Sequence, residues 1–155
     1  MRCTLFYWYG FIYLLQYGCV TAQKPENQST MKNIEHFLQK IQYFSRDDTN
    51  VVLNHYFINS RKIQANAELY QMYEKAFIDL KSVIQQDSYS IHSYSEVKDK
   101  LPNIHPLVSS NLAEEKDIFV LQFEKQTNYV YIKTKGDRMV SILPMKQGSR
   151  IIGWL

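Results

Sequence analysis

The chain has 155 residues, 45% of them apolar and 21% charged, with a formal net charge of +3. That length suits one domain, the apolar share excludes a disordered chain, and so small a charge gives no basis for a nucleic-acid partner. The compositional oddity is twelve tyrosines, whose apolar ring and polar tip suit half-buried sheet faces and wet binding surfaces alike.

The chain opens as an export signal. Arg2 is followed by no charged side chain from Cys3 to Gln23, and Leu5, Phe6, Phe11, Ile12, Leu14 and Leu15 form an apolar block. A basic start, an apolar middle and small residues after it are the order of a secretory leader. Three fates stay open for residues 1–22. Val20-Thr21-Ala22 offers a signal peptidase a cut before Gln23. Gly18-Cys19 offers a bacterial lipoprotein peptidase a cut that makes Cys19 the lipidation site, although Gln16 and Tyr17 depart from the usual lipobox. The uncharged run is also just long enough to stay as an uncleaved helical anchor. The expected location is periplasmic, cell-surface or secreted, with membrane attachment through the N-terminus under the lipid-anchored alternative. Cys3 and Cys19 are the only cysteines, and either cut leaves the folded domain with none, so no disulfide supports it.

Residues 23–29 are polar and aperiodic and read as a tether to a single α+β domain spanning 30–155. Thr30 is a fair N-cap, and Met31, Ile34, Phe37, Leu38, Ile41 and Phe44 recur at helical spacing as far as Ser45. Asp48 or Thr49 can cap a short second helix with Val52, Leu53, Tyr56 and Phe57 on its apolar face, ended by Asn59-Ser60. The third helix has the strongest period, with Leu69, Met72, Tyr73, Ala76, Phe77, Leu80, Val83 and Ile84 on one stripe and Glu68, Gln71, Lys75 and Asp79 facing away. Alternation over Ser88–Tyr94 predicts a short strand, followed by a turn of helix at Ser95–Lys100. Pro102 and Pro106 make 101–116 a loop.

The last forty residues read as an antiparallel meander. Ile118–Glu124 carries Phe119, Leu121 and Phe123 on one face, and Asn128–Thr134 sets Val130 and Ile132 against Tyr129 and Tyr131. Lys135-Gly136-Asp137 turns into Met139–Leu143, and Gly148 marks the turn into Ile151–Trp154. Helices first and sheet last make the fold class α+β, about three N-terminal helices packed on a C-terminal antiparallel meander. This layout, over roughly residues 30–155 and without a shared motif, resembles the NTF2-like and cystatin-like α+β cones. The resemblance implies a concave sheet with a pocket between sheet and helices.

No pattern names a reaction. Thiol chemistry leaves with the leader, no serine sits in a Gly-x-Ser-x-Gly elbow, and His36, His55, His92 and His105 stand singly without metal-ligand spacing. Asp47-Asp48 with His55 is the tempting acid–base set, but seven residues of helix put Asp48 and His55 about 10 Å apart along the axis, and capping explains Asp48 better. Lys133, Lys135, Arg138, Lys146 and Arg150 gather positive charge near the C-terminus, preceded by Glu114, Glu115 and Asp117. A solvated sheet rim accounts for such charges, and an anionic ligand could also use them. The expectation is therefore an exported bacterial protein with a non-catalytic binding or envelope-associated role, its partner a small ligand or an envelope protein. It has no catalytic residues, cofactor or metal assigned. Tyr129, Tyr131, Phe119 and Phe123 are the expected lining of a cavity. The alternative is a small enzyme with an NTF2-like cavity, where a carboxylate and a His or Tyr would converge.

Overall fold

A computed structural model of the protein describes residues 25–108 and 115–155. The expected leader, both candidate cleavage positions, Cys19 and Glu114 lie outside the described residues. Five α-helices and six strands are described: α1 (Pro25–Gln42), α2 (Thr49–Tyr56), α3 (Ser60–Gln64), α4 (Ala67–Gln86), β1 (Tyr89–Ser93), α5 (Tyr94–Val97), β2 (Ile118–Phe123), β3 (Val130–Lys135), β4 (Arg138–Ser141), β5 (Pro144–Gln147) and β6 (Arg150–Trp154). The class is α+β, as the order of periodicities predicts.

Helix α1 starts at Pro25, five positions ahead of Thr30, so residues 25–29 are its first turns and not an irregular tether. Proline at the first helical position, whose missing N–H has no intrahelical partner to lose, supplies the start signal. Thr30 is then not a cap. Its hydroxyl donates to Gly136 O at 3.1 Å, and Asn33 donates to Asp137 O, so the front of α1 grips the β3–β4 turn. At the other end, Lys81 Nζ and Gln85 Nε2 of α4 donate to Phe44 O (2.8 Å) and Gln42 O (2.9 Å), serving carbonyls that the helix leaves open.

Between α1 and α2 a 3₁₀ turn spans Arg46–Asp48. The Asp48 carboxylate accepts from Ser45 N and Ser45 Oγ, both at 3.0 Å, and caps this turn, while α2 itself receives no side-chain cap. All four predicted apolar residues here, Val52, Leu53, Tyr56 and Phe57, are buried. Arg138 Nη2 donates to Asn54 O (3.1 Å) and Phe57 O (2.6 Å), placing a cation at the negative end of α2. Asn66 caps α4 by accepting from Leu69 N at 3.0 Å. On α4 the buried row is Tyr73, Phe77, Leu80 and Ile84, whereas Met72 is 40% exposed and Tyr70 and Ile78 take up core contacts beside the row.

The main sheet has the order β1-β2-β3-β4, every pair antiparallel. The predicted meander is thus extended by β1 on the far side of β2. The far edge of β4 is covered in turn, since Phe57 bridges Met139 and Ile58 N donates to Met139 O at 3.0 Å. The C-terminus does not continue this sheet. Strands β5 and β6 form a separate hairpin, with a register irregularity at Met145/Lys146. Both two-residue turns, Gly136-Asp137 and Gly148-Ser149, open on glycine at φ +62° and +59°, a conformation costly for any residue bearing a Cβ.

Two apolar layers result. Between sheet and helices, Phe119, Leu121, Phe123, Ile132, Met139 and Ile142 meet the buried residues of α1, α2 and α4. On the other sheet face, Ile118, Val120 and Tyr131 are covered by Tyr94 and Val97 of α5, by the proline loop through Leu101, Ile104 and Leu107, and by Ile151 and Trp154 of β6. Burial on both faces explains why β2 reads Ile-Phe-Val-Leu-Gln-Phe, almost without polar alternation.

Candidate binding face

The site residues predicted from sequence do not converge. Phe119 pairs with Ile132 and points into the helix-side core, as does Phe123, at 1% and 3% exposure. Tyr131 pairs with Val120 and lies with Tyr129 on the opposite face. The space that a cone-like layout would leave between helices and sheet is occupied by aromatic rings. Phe77 sits among Phe37, Phe44, Phe57 and Tyr73 with ring centroids 5.4–6.0 Å apart, mostly edge to face, the arrangement favoured by ring quadrupoles.

On the hairpin side the tyrosines act through their hydroxyls. Tyr129 Oη donates to Pro102 O at 2.8 Å, Tyr94 Oη to His105 O at 3.3 Å, and His105 N donates to Tyr131 Oη at 2.8 Å. Three tyrosines, Tyr94 of α5 with Tyr129 and Tyr131 at β3, therefore satisfy the main chain of a loop that two prolines keep out of helix. His105 Nδ1 lies 2.9 Å from Ser149 O, and since a carbonyl only accepts, Nδ1 carries the proton and ties the loop to the hairpin tip. Ile151 N donates to Pro106 O (2.9 Å) and Val108 N to Ile151 O (3.0 Å), making the loop a second, parallel partner of β6 beside β5. Burial pushes the phenol pKa of Tyr131 and of Tyr94 upward, which favours the neutral phenol.

Cations border this layer. Lys133 Nζ lies 5.8 Å from the Trp154 ring centroid, and Lys146 Nζ the same distance from that of Tyr131. Arg150 is exposed at the hairpin tip, and neither it nor Lys146 makes an ion pair among the described residues. Of the preceding acids, Glu115 is bound to Lys98 at 2.7 Å, a contact that raises the Lys98 pKa.

The other constellations separate. His55 is exposed and packs edge-on against the Tyr56 ring, while Asp48 is bound to Ser45 and lies 3.5 Å from Lys40 Nζ. The Ser45 hydrogen bonds are the chief cause that lowers the Asp48 pKa. A pair missed in the sequence is Ser90 Oγ with His92, at 2.8 Å from Nε2. Strand alternation puts i and i+2 on one face, so Ser-x-His within a predicted strand was the available signal. The pair sits on edge strand β1. Among the described residues no group of three or more His, Cys, Asp or Glu side chains could hold a metal ion, and no helix is long and apolar enough to cross a membrane. Comparison with protein-family models, curated proteins and solved structures finds no match to this chain.

Proposed function

We propose that this chain is an exported bacterial domain with a binding role in the envelope and no reaction of its own, its working surface being the hairpin side of the sheet. The observation that carries the reading is how the polar groups are used. Hydroxyls that could have served chemistry, those of Tyr73, Tyr94, Tyr129 and Tyr131, are engaged in holding this chain's own main chain and Ser141. Lys146, over the Tyr131 ring, and Arg150, by contrast, remain exposed, a pattern suited to a recognition surface. Tyr129 is half-exposed on this side and is the one of the four expected lining residues best placed to meet a ligand.

Export is supported by the order of residues in the leader and is tested by intact mass after expression in a bacterial host. A soluble chain beginning at Gln23 supports release, and a diacylglyceryl adduct on Cys19 in the membrane fraction supports anchoring. An uncut chain confined to the cytosol overturns export.

A further inference from the structure

Helix α1 begins at Pro25 and is built into the domain from Thr30 onward. Ile34, Phe37, Leu38 and Ile41 are buried in the helix-side core. At the front of the helix Thr30 Oγ1 donates to Gly136 O at 3.1 Å and Asn33 Nδ2 to Asp137 O. The start of α1 and the β3–β4 turn therefore move together, as one end of the molecule. Six steps of chain lead from Cys19 to Pro25, a reach of about 20 Å at full extension. The 18 residues of α1 span about 27 Å. A tether shorter than the helix cannot let the domain stand on the helix's far end. Had α1 begun at Thr30, the eleven steps from Cys19 would reach about 38 Å against about 20 Å of remaining helix, and either end could meet a surface.

From this geometry we infer that the domain is held at a bilayer by its N-terminal anchor, with the start of α1 and the β3–β4 turn as its membrane-facing end. Tyr43, just past the other end of α1 and 77% exposed, is then turned toward water. The orientation rests on the export reading, and within it on the two fates that keep the chain at the membrane. With a lipid on Cys19 the reach is about 20 Å, and with an uncleaved anchor ending near Gln23 it falls to about 7 Å. Charge does not supply the orientation, because Lys32 and Lys135, both exposed at this end, are offset in part by exposed Asp137. The tether sets it, so neither anionic lipid nor salt should alter it.

The test uses the full chain, expressed in a bacterial host, purified from the membrane fraction and reconstituted in phosphatidylcholine vesicles. Lys135 or Tyr43, both exposed, is replaced by p-azidophenylalanine and coupled to a membrane-impermeant donor dye. Energy transfer to an acceptor lipid in the outer leaflet then measures the height of each position. The expected result is about two-fold stronger transfer from position 135 than from position 43, unchanged by phosphatidylglycerol or by about 0.5 M salt. Inserting about twenty Gly and Ser residues between Lys24 and Pro25, with a root-mean-square span of about 25 Å, should abolish the difference. Unchanged circular dichroism and thermal midpoints keep the labelled and extended chains interpretable. Equal transfer, stronger transfer from position 43, a difference that needs anionic lipid, or one that survives the insertion overturns the inference. So does a chain found only in the soluble fraction and beginning at Gln23, although export then stands. An uncut chain confined to the cytosol removes both. Intact mass thus reports on export and dye height on orientation, and the two failures are told apart.

Discussion

The two faces of strands β2 and β3 are packed by different chemistry. Toward the helices, Phe119, Leu121, Phe123 and Ile132 meet an apolar and aromatic layer in which Phe77 is the hub. Toward the hairpin, Ile118, Val120 and Tyr131 meet a loop and a two-stranded ribbon, and much of what fixes them is hydrogen bonding between tyrosine hydroxyls and main chain. Dispersion and hydrophobic burial are non-directional and tolerate approximate placement, whereas hydroxyl-to-backbone bonds demand one geometry. The helix side should therefore set how stable the protein is, and the hairpin side how well one surface is ordered.

The largest expected effect falls on the helix side. Phe77→Ala removes a fully buried ring in contact with four others and should cost about 3–5 kcal/mol in urea unfolding. It should lower the stability of the whole chain, because both layers share β2 and β3. A loss below about 1 kcal/mol, the scale of a surface change, would mean that the aromatic hub is not the main source of stability.

Tyr131→Phe probes the opposite face with the ring retained. It deletes the acceptor of His105 N, leaving a partly buried N–H without its partner, at about 1–2 kcal/mol. The sharper measurement is amide exchange. Protection should fall across 104–108 and at Ile151 while the amides of α4 keep theirs relative to global stability. Uniform loss in loop and helix would erase the distinction between the two faces.

This contrast also separates what the sequence made legible from what it hid. The stripes of α1 and α4 were visible because burial against one layer imposes a 3.6-residue period, and the error at Met72 came from drawing that stripe one residue too wide. Helix α3 has a single buried anchor, Ile63, and so no period to read. Strand β5 was missed because Met145, Lys146 and Gln147 are all exposed and it pairs only within its hairpin. The existence of β2 and β3 as strands was evident. Which faces coincide depends on register, Phe119 opposite Ile132, and that separated Phe119 and Phe123 from Tyr129 and Tyr131. The loop clamp joins Tyr129 to Pro102 and Tyr131 to His105, pairs too distant in sequence for any local pattern to reveal.

The smallest effect concerns pH and again distinguishes the layers. Asp48, on the helix side, has its pKa lowered from 3.8 chiefly by the hydrogen bonds of Ser45. A carboxylate whose folded pKa is depressed adds stability that is fully present above the unfolded value and is lost as pH falls through the folded one. Lys98, beside the hairpin layer, has its pKa raised from 10.5 by Glu115, and its contribution is present below the unfolded value and lost as pH rises through the folded one. Asp48→Asn should therefore flatten the acid limb of the stability profile, below about pH 4, and leave the alkaline limb unchanged, whereas Lys98→Met should do the reverse. Both side chains face solvent, so the two changes should be small and should shrink further in high salt. Unfolding midpoints taken from pH 2.5 to 11 in each variant read this directly, and an Asp48→Asn profile parallel to that of the parent protein at acid pH would show that the Ser45–Asp48 cap contributes nothing to stability.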